Sequence, residues 1–389
     1  VIARLTVEGS WGMLYDGGYS EEVHRLLHSI LLGRRKIKGR SGELASRLLP
    51  KKRVPEQMRQ EVISSRVLGE SNKQPKRGES SNTSIVFDNR LYLKLYRRFE
   101  ESSNPDTEMA RTLSDAAQFS AVPRYLASLE YRRADCEALV VAMLQEYVPN
   151  QGDAWTLLQG ALSRYYEEVL MGDRGVAEAL QESGSPLDAE QGPVDTAVRE
   201  LVGSLYAQFA ELLGTRTAQM HRTLASVQAD PLFAPEPFSK LYQRSLYQSL
   251  RSRVLRSLRL LEGRVPGLED EEKREIRALL SRREDILAAL MQIVGGRISG
   301  MKTRVHGDYN LYQVLFTGRD FTIIDFEGEP GLAPGARRLK YSPLRDVADM
   351  IRSFYYAAYV ALYQHTAAHP EDLESLEPYA SLWHRSISR

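Results

Sequence analysis

Between Arg304 and Glu327 the chain reads RVHGDYNLYQVLFTGRDFTIIDFE, and this stretch limits the possible folds more than any other. Short apolar runs at Val314-Leu315 and at Phe321 to Ile324 flank Thr317-Gly318-Arg319-Asp320, which carries turn chemistry. The pattern predicts a strand, a turn and a second strand. That hairpin returns Asp325 to the side of Gln313, at the end facing Asp308. A strand pair so late in a segment otherwise helical in pattern fits an α+β architecture of two lobes, the first rich in strands and the second in helices.

The upstream sequence agrees with that division. Ile85, Val86 and Phe87 read as a strand, Asp88-Asn89 as a turn, and Leu91, Leu93 and Leu95 alternate with Tyr92, Lys94 and Tyr96. A period of two puts Lys94 on the face opposite the leucines. A helix is expected from Asn104-Pro105-Asp106 through Glu108. Ala138 to Leu144 reads as a buried strand that must stop by Pro149. Nearer the start, Ser20 is a good N-cap, with Glu21 and Glu22 after it and Val23, Leu26, Leu27, Ile30 and Leu31 at helical spacing. His24 and His28 lie one turn apart on that helix, but a zinc site needs three or four ligands and no third is near. Beyond residue 150 the apolar stripes are helical, Pro237 opens a long arginine-rich helix, and the glycines and prolines of 171–193 mark a surface insertion.

Composition excludes several classes. Lys plus Arg total 52 against 51 Asp plus Glu, a net charge of +1, so no nucleic-acid partner is expected despite basic runs at 34–38 and 51–53. No apolar run is long enough to span a membrane, and no secretory signal opens the sequence. Cys136 is the single cysteine, so an internal disulfide is impossible and a cytoplasmic setting is expected. Val1 rather than Met at the start is what a processed product or a piece of a longer polypeptide would show.

The chemistry that suits the hairpin is phosphoryl transfer from ATP. It needs a carboxylate to orient and deprotonate the attacking hydroxyl, and oxygen ligands to hold Mg²⁺ against the phosphates. Protein kinases place an Asp, an amide side chain five residues on, and an Asp after the next strand. Asp308, Gln313 and Asp325 stand at that spacing. Lys94 on its strand would meet phosphate oxygens, with Glu108 on the following helix as its ion-pair partner. The turn from Gly78, carrying Ser81, Asn82, Thr83 and Ser84, occupies the place of a phosphate cover. Tyr355, Tyr356, Trp383 and Arg345 are candidates for a sugar acceptor, as aromatic platforms and a bidentate polar group.

At these residues the sequence resembles the bacterial maltokinases, including the maltokinase half of trehalose synthase–maltokinase fusions. The resemblance runs along nearly the whole chain: GMLYD at 12–16, IKGRSGE at 37–43, SSNTSIVF at 80–87, LKLYRR at 93–98, NPDTE at 104–108, GTRTAQMHRTLAS at 214–226, APEPF at 234–238, IDFEGEP at 324–330 and SPLRDVADMIRSFYY at 342–356. It implies an aminoglycoside-phosphotransferase-like, bilobal protein-kinase-like fold. The cap subdomain would be 1–60, the β-rich nucleotide-binding lobe 61–148, and the helical catalytic lobe 149–389. It implies Mg-ATP-dependent phosphorylation of maltose at its anomeric hydroxyl, and a fused or associated trehalose synthase. By position, Asp308 would be the base, Gln313 and Asp325 the Mg²⁺ ligands, Lys94 and Glu108 the ion pair, and Gln145, Tyr147 and Val148 the hinge that meets adenine. The family motif HGDYHLGQ is altered here: Asn310 and Tyr312 replace His and Gly. Asn310 keeps hydrogen-bonding capacity toward a substrate without a cationic form. The family also continues past Trp383 with a further helix. A kinase for another sugar such as glucosamine, and a weakly catalytic nucleotide- or sugar-binding domain, are the alternative expectations.

Overall fold

The computed structural model describes residues 2–33, 36–49, 82–99, 103–134, 136–171 and 201–388. Ser81 and the insertion read at 171–193, apart from Met171, lie outside the described residues.

The first lobe contains strands β1 (Ala3–Val7) and β2 (Ser10–Leu14), helix α1 (Glu21–Gly33), strands β3 (Lys36–Lys38), β4 (Glu43–Leu48), β5 (Asn82–Phe87) and β6 (Leu91–Tyr96), helix α2 (Pro105–Arg111), and strands β7 (Tyr125–Arg132) and β8 (Leu139–Glu146). β1 and β2 form a separate hairpin, while the others make one antiparallel sheet in the order β3-β4-β7-β8-β6-β5. β4 pairs with β7 along its whole length, so the sheet draws strands from both sides of residue 60, while the β1–β2 hairpin lies outside it.

The two faces of β6 do different work, as its alternation dictates. Leu91 and Leu93 join Ile85, Phe87, Leu129 and Leu144 beneath Ile30 and Leu31 of α1. The other face carries Lys94 and Tyr96, and here Tyr96, Met143 and Tyr125 pack with Ala110 of α2. Asp88 and Asn89 take φ of 52° and 51°, both left-handed, in the three-residue turn between Phe87 and its register partner Leu91. His24 is spent on structure: its Nε2 lies 2.7 Å from Gly18 O, while His28 rests on Phe87.

The second lobe contains α3 (Ala154–Met171), α4 (Ser204–Ser226), β9 (Glu236–Pro237), α5 (Lys240–Arg264), α6 (Asp270–Ser281), α7 (Arg283–Gly295), β10 (Met301–Lys302), β11 (Val314–Phe316), β12 (Phe321–Ile323), α8 (Pro334–Arg337), α9 (Leu344–Thr366) and α10 (Leu373–Ile387). Pro237 does not open α5. It pairs with Met301 in a short ladder, and Ser239 caps the helix by accepting the Tyr242 N–H at 3.1 Å. The hairpin β11–β12 forms as its turn chemistry predicts, in the register Val314↔Ile323 and Phe316↔Phe321. The core gathers α3, α4, α9 and α10 around it.

Trp383 belongs to that core. It is 1% exposed and meets Phe354 edge-on, so it is no sugar platform. The helical phase of α10 decides this, since Leu376, Tyr379, Ala380 and Trp383 share the buried face at spacings of three and four. Trp383→Ala is expected to destabilise the fold by about 3–5 kcal/mol in urea unfolding. Below the unfolding transition, substrate KM should be unchanged.

Candidate active site

Lys94 Nζ is the point where the lobes meet. It lies 2.7 Å from Asp106 Oδ2, 2.6 Å from Asp325 Oδ1 and 2.6 Å from Glu327 Oε1. Burial works against its charge, but Asp106 and Asp325 outweigh that and hold its pKa well above the ordinary lysine value. Asp325, opposed by burial, is still drawn below the usual range by Lys94, whereas burial pushes Glu327 up.

The helix partner of Lys94 is thus Asp106, correcting the expected Glu108. The reason is helical phase. Asn104 caps α2 by accepting the Thr107 N–H, and Pro105 takes the first helical position. This start turns residue 106 toward the sheet and residue 108, two positions on, to the opposite side. Glu108 meets Arg304 and Arg338 instead. Besides Lys94, Asp106 accepts two further hydrogen bonds: from Tyr96 Oη at 2.9 Å on Oδ2 and from the Phe326 N–H at 3.0 Å on Oδ1.

Gln313 reaches Asp325 as the hairpin geometry requires, its side chain hydrogen-bonding the carboxylate. Asp325 sits at φ 67°, a left-handed turn that swings the chain out of β12. One ligand oxygen each from Asp106, Asp325 and Glu327 lie within 4.8 Å of one another, and Asp325 and Glu327 keep 35% and 23% of their side-chain surface open. With all three ionised, one ammonium leaves two negative charges unbalanced. An all-oxygen donor set of that charge fits Mg²⁺.

Asp308 stands on the adjoining loop. The Gly307 N–H at 2.9 Å and the His306 N–H at 2.9 Å both donate to the carboxylate of Asp346, which is fully buried, and His221 Nε2 lies 2.8 Å from it. Burial raises Asp346, but His221 and the loop's own groups draw it below the usual range. His306 donates through Nε2 to Ile324 O at 2.9 Å, tying the loop to the hairpin. Gly307 has φ 84°, and a Cβ there would stand 3.4 Å from Gly328 Cα, so the loop and the turn after Asp325 pass in contact. Burial raises the pKa of Asp308 above its ordinary value. Asn310 approaches Asp308 Oδ1 at 3.4 Å and accepts the Tyr312 N–H at 3.0 Å, and Tyr312 stacks on Trp155 with ring centroids 4.7 Å apart.

The remaining candidates divide. Asn82, Thr83 and Ser84 open strand β5 and do not form a turn, because their register partners are Tyr96, Leu95 and Lys94. Asn82 still reaches the site through a hydrogen bond to Glu327, while Thr83 receives Arg97 and Ser84 meets Tyr92. Gln145 is buried within β8 beside Tyr92, and the Tyr147 N–H donates to Arg90 O, so of the hinge residues Val148 follows directly where the chain leaves the sheet. Arg345 is close to Asp308: it pairs with Glu329 at 2.6 Å, points to Gly307 O at 3.4 Å and lies over Tyr341. Tyr355 and Tyr356 are exposed on α9, about 13 Å along the helix from Asp346 at 1.5 Å per residue. Tyr355 stacks there with Tyr359. Sequence reasoning missed Asp106, Glu327 and Asp346. All three lie inside motifs already singled out, NPDTE, IDFEGEP and SPLRDVADM.

No protein-family model matches the sequence. The glucosamine kinase of Streptacidiphilus jiangxiensis is 22% identical over 288 residues, 74% of this chain and 55% of that protein. The glucosamine kinase of Mycolicibacterium smegmatis is 23% identical over 284 residues, 73% of this chain and 58% of that protein. The chain therefore spans a little over half the length of the curated relatives it matches. Among solved structures, glucosamine kinase in complex with glucosamine, ADP and inorganic phosphate superimposes with a TM-score of 0.53 at 18% identity, covering 78% of this chain and 64% of that one. A crystal form of glucosamine kinase superimposes with 0.55 at 15% identity over 99% of this chain and 76% of that one. The fold is the α+β, bilobal protein-kinase-like one.

Asp346→Asn is expected to cost about 1–3 kcal/mol in thermal unfolding, because an amide cannot accept both backbone N–H groups and face His221 at once. An unfolding midpoint equal to the parent's would show that Asp346 does not brace the loop.

Proposed function

We propose that the chain is an ATP-dependent sugar kinase. The observation that carries this is the meeting of Lys94, Asp106, Asp325 and Glu327 at one point between the lobes, beside a braced loop that presents Asp308. Lys94 would bind phosphate oxygens, and Asn82, tethered to Glu327, would border them. Gln313 and Asp325 would hold Mg²⁺, whose charge offsets that of the phosphates. Asp308 would orient the acceptor hydroxyl and take its proton as the oxygen bonds to the γ-phosphorus and the bond from that phosphorus to the β–γ bridging oxygen breaks, releasing ADP. Burial suits it to that role by raising its proton affinity. The hinge at Tyr147-Val148 would meet adenine. Arg345 and Asn310 flank the acceptor position.

The acceptor is the finer question. The matched relatives are called glucosamine kinases, which favours an amino sugar. The motifs shared with maltokinases favour maltose, with maltose 1-phosphate as product. Both readings use the same machinery.

ADP release with maltose, glucosamine and a panel of related sugars decides between them, and no release with any sugar would sink the kinase reading. With the accepted sugar, Asp308→Asn should lower kcat by about 10²–10⁴-fold while leaving ATP binding intact. The acid limb of kcat/KM should fall above the ordinary aspartate value of 3.8, because the base must be deprotonated and its pKa is raised. A limb at or below that value would remove Asp308 from the role.

A further inference from the structure

Glu108, displaced from Lys94 by the phase of α2, has a strongly built environment of its own. Arg338 grips it through two bonds, Nη2 to Oε1 at 2.7 Å and Nε to Oε2 at 3.1 Å. Arg304 Nη1 reaches Oε2 at 3.1 Å. The Arg304 side chain is 1% exposed, with its guanidinium 4.9 Å from the Phe233 ring centroid, while Glu108 and Arg338 keep 13% and 21%. Burying charges is expensive unless they are paired; Glu108 meets both guanidiniums, although Arg304 Nε is left buried without a hydrogen-bond partner.

The three residues belong to three working parts. Glu108 lies on the helix that supplies Asp106. Arg304 lies two residues before His306 and four before Asp308. Arg338 follows the turn at Gly328, where a Cβ would meet the Arg337 side chain at 3.2 Å, and Arg337 donates to Leu332 O and Pro330 O. One face of α2 is therefore pinned to Lys94 and Phe326, and the other to the segment between β10 and Asp308 and to the segment following Glu327.

We propose that the Glu108–Arg304–Arg338 clamp is a positioning device: it fixes the rotation of α2, and with it the placement of Asp106 and of the Lys94 ammonium against the nucleotide phosphates. The clamp touches neither nucleotide nor acceptor. It acts through Asp106, so its loss moves Lys94 without removing any group that meets substrate. This rests on the kinase reading above.

The test uses an acyl-phosphate derivative of ATP, which acylates a lysine held beside the phosphates, with labelling at Lys94 quantified by peptide mass spectrometry. It needs no knowledge of the sugar. Parent, Glu108→Gln and Arg338→Gln are compared well below their unfolding midpoints. The Arg338 variant is the safeguard if the more buried Glu108 change does not fold. Both variants are expected to slow Lys94 acylation by about tenfold or more at saturating reagent, since a displacement near one ångström carries penalties of that order. In an Asp106→Asn background the additional effect of either change should shrink to under about threefold, because the two act through one lysine. Parent and variants labelling at equal rates, or effects that simply multiply with Asp106→Asn, would reduce the clamp to a structural pin. Failure of the parent to label Lys94 would instead overturn the nucleotide site itself, and the clamp's role with it.

Discussion

The Lys94 ammonium is the charge around which the two lobes are assembled. It arrives on a strand of the first lobe and faces one carboxylate from that lobe's helix and two from the turn after β12. A buried lysine is tolerated only with partners that outweigh its lost hydration. The partners here are supplied by segments more than 200 residues apart in sequence. In the proposed function, the carboxylates of this arrangement that remain partly exposed, Asp325 and Glu327, face the divalent cation and polyphosphate. Fold and site thus depend on one electrostatic solution.

Around this point the structure spends buried polar groups on orientation. Asp346 takes two consecutive backbone N–H groups and faces His221, so the loop before Asp308 is held by the helix beneath it. His306 then ties that loop to Ile324, one residue before Asp325. Gly307 faces Gly328 so closely that a Cβ there would touch the Gly328 backbone. The proposed base and the proposed cation ligands lie on separate loops and would keep a fixed relation only through such bracing, because effective catalysis is sensitive to small misplacements.

Much of this was legible in the sequence because the hairpin around Gly318 is punctuated by turn residues, and because β6 alternates so regularly that Lys94 had to face away from its leucines. The choice between Asp106 and Glu108 was not legible. Both acids lie in the first turns of one short helix, and only the position of the Asn104 cap sets which of them faces the sheet. Asn82 to Ser84 read as a polar turn because small hydroxyl residues serve turns and edge strands alike, and β5 is an edge of the sheet. Strands β3 and β4 escaped notice because exposed Lys36, Lys38 and Arg47 hide their alternation. Trp383 could pass for a binding platform until the neighbouring helices showed which face of α10 is covered.

The most direct measurement of the central claim is calorimetric titration of a non-hydrolysable ATP analogue into the parent protein and Lys94→Met, with and without Mg²⁺. If Lys94 and the carboxylates around it form the phosphate and metal site, the parent binds the analogue in a Mg²⁺-dependent manner and the variant binds at least about tenfold more weakly. Equal affinity in the two proteins, indifferent to Mg²⁺, would mean that this cluster only joins the lobes and that nucleotide, if bound at all, binds elsewhere.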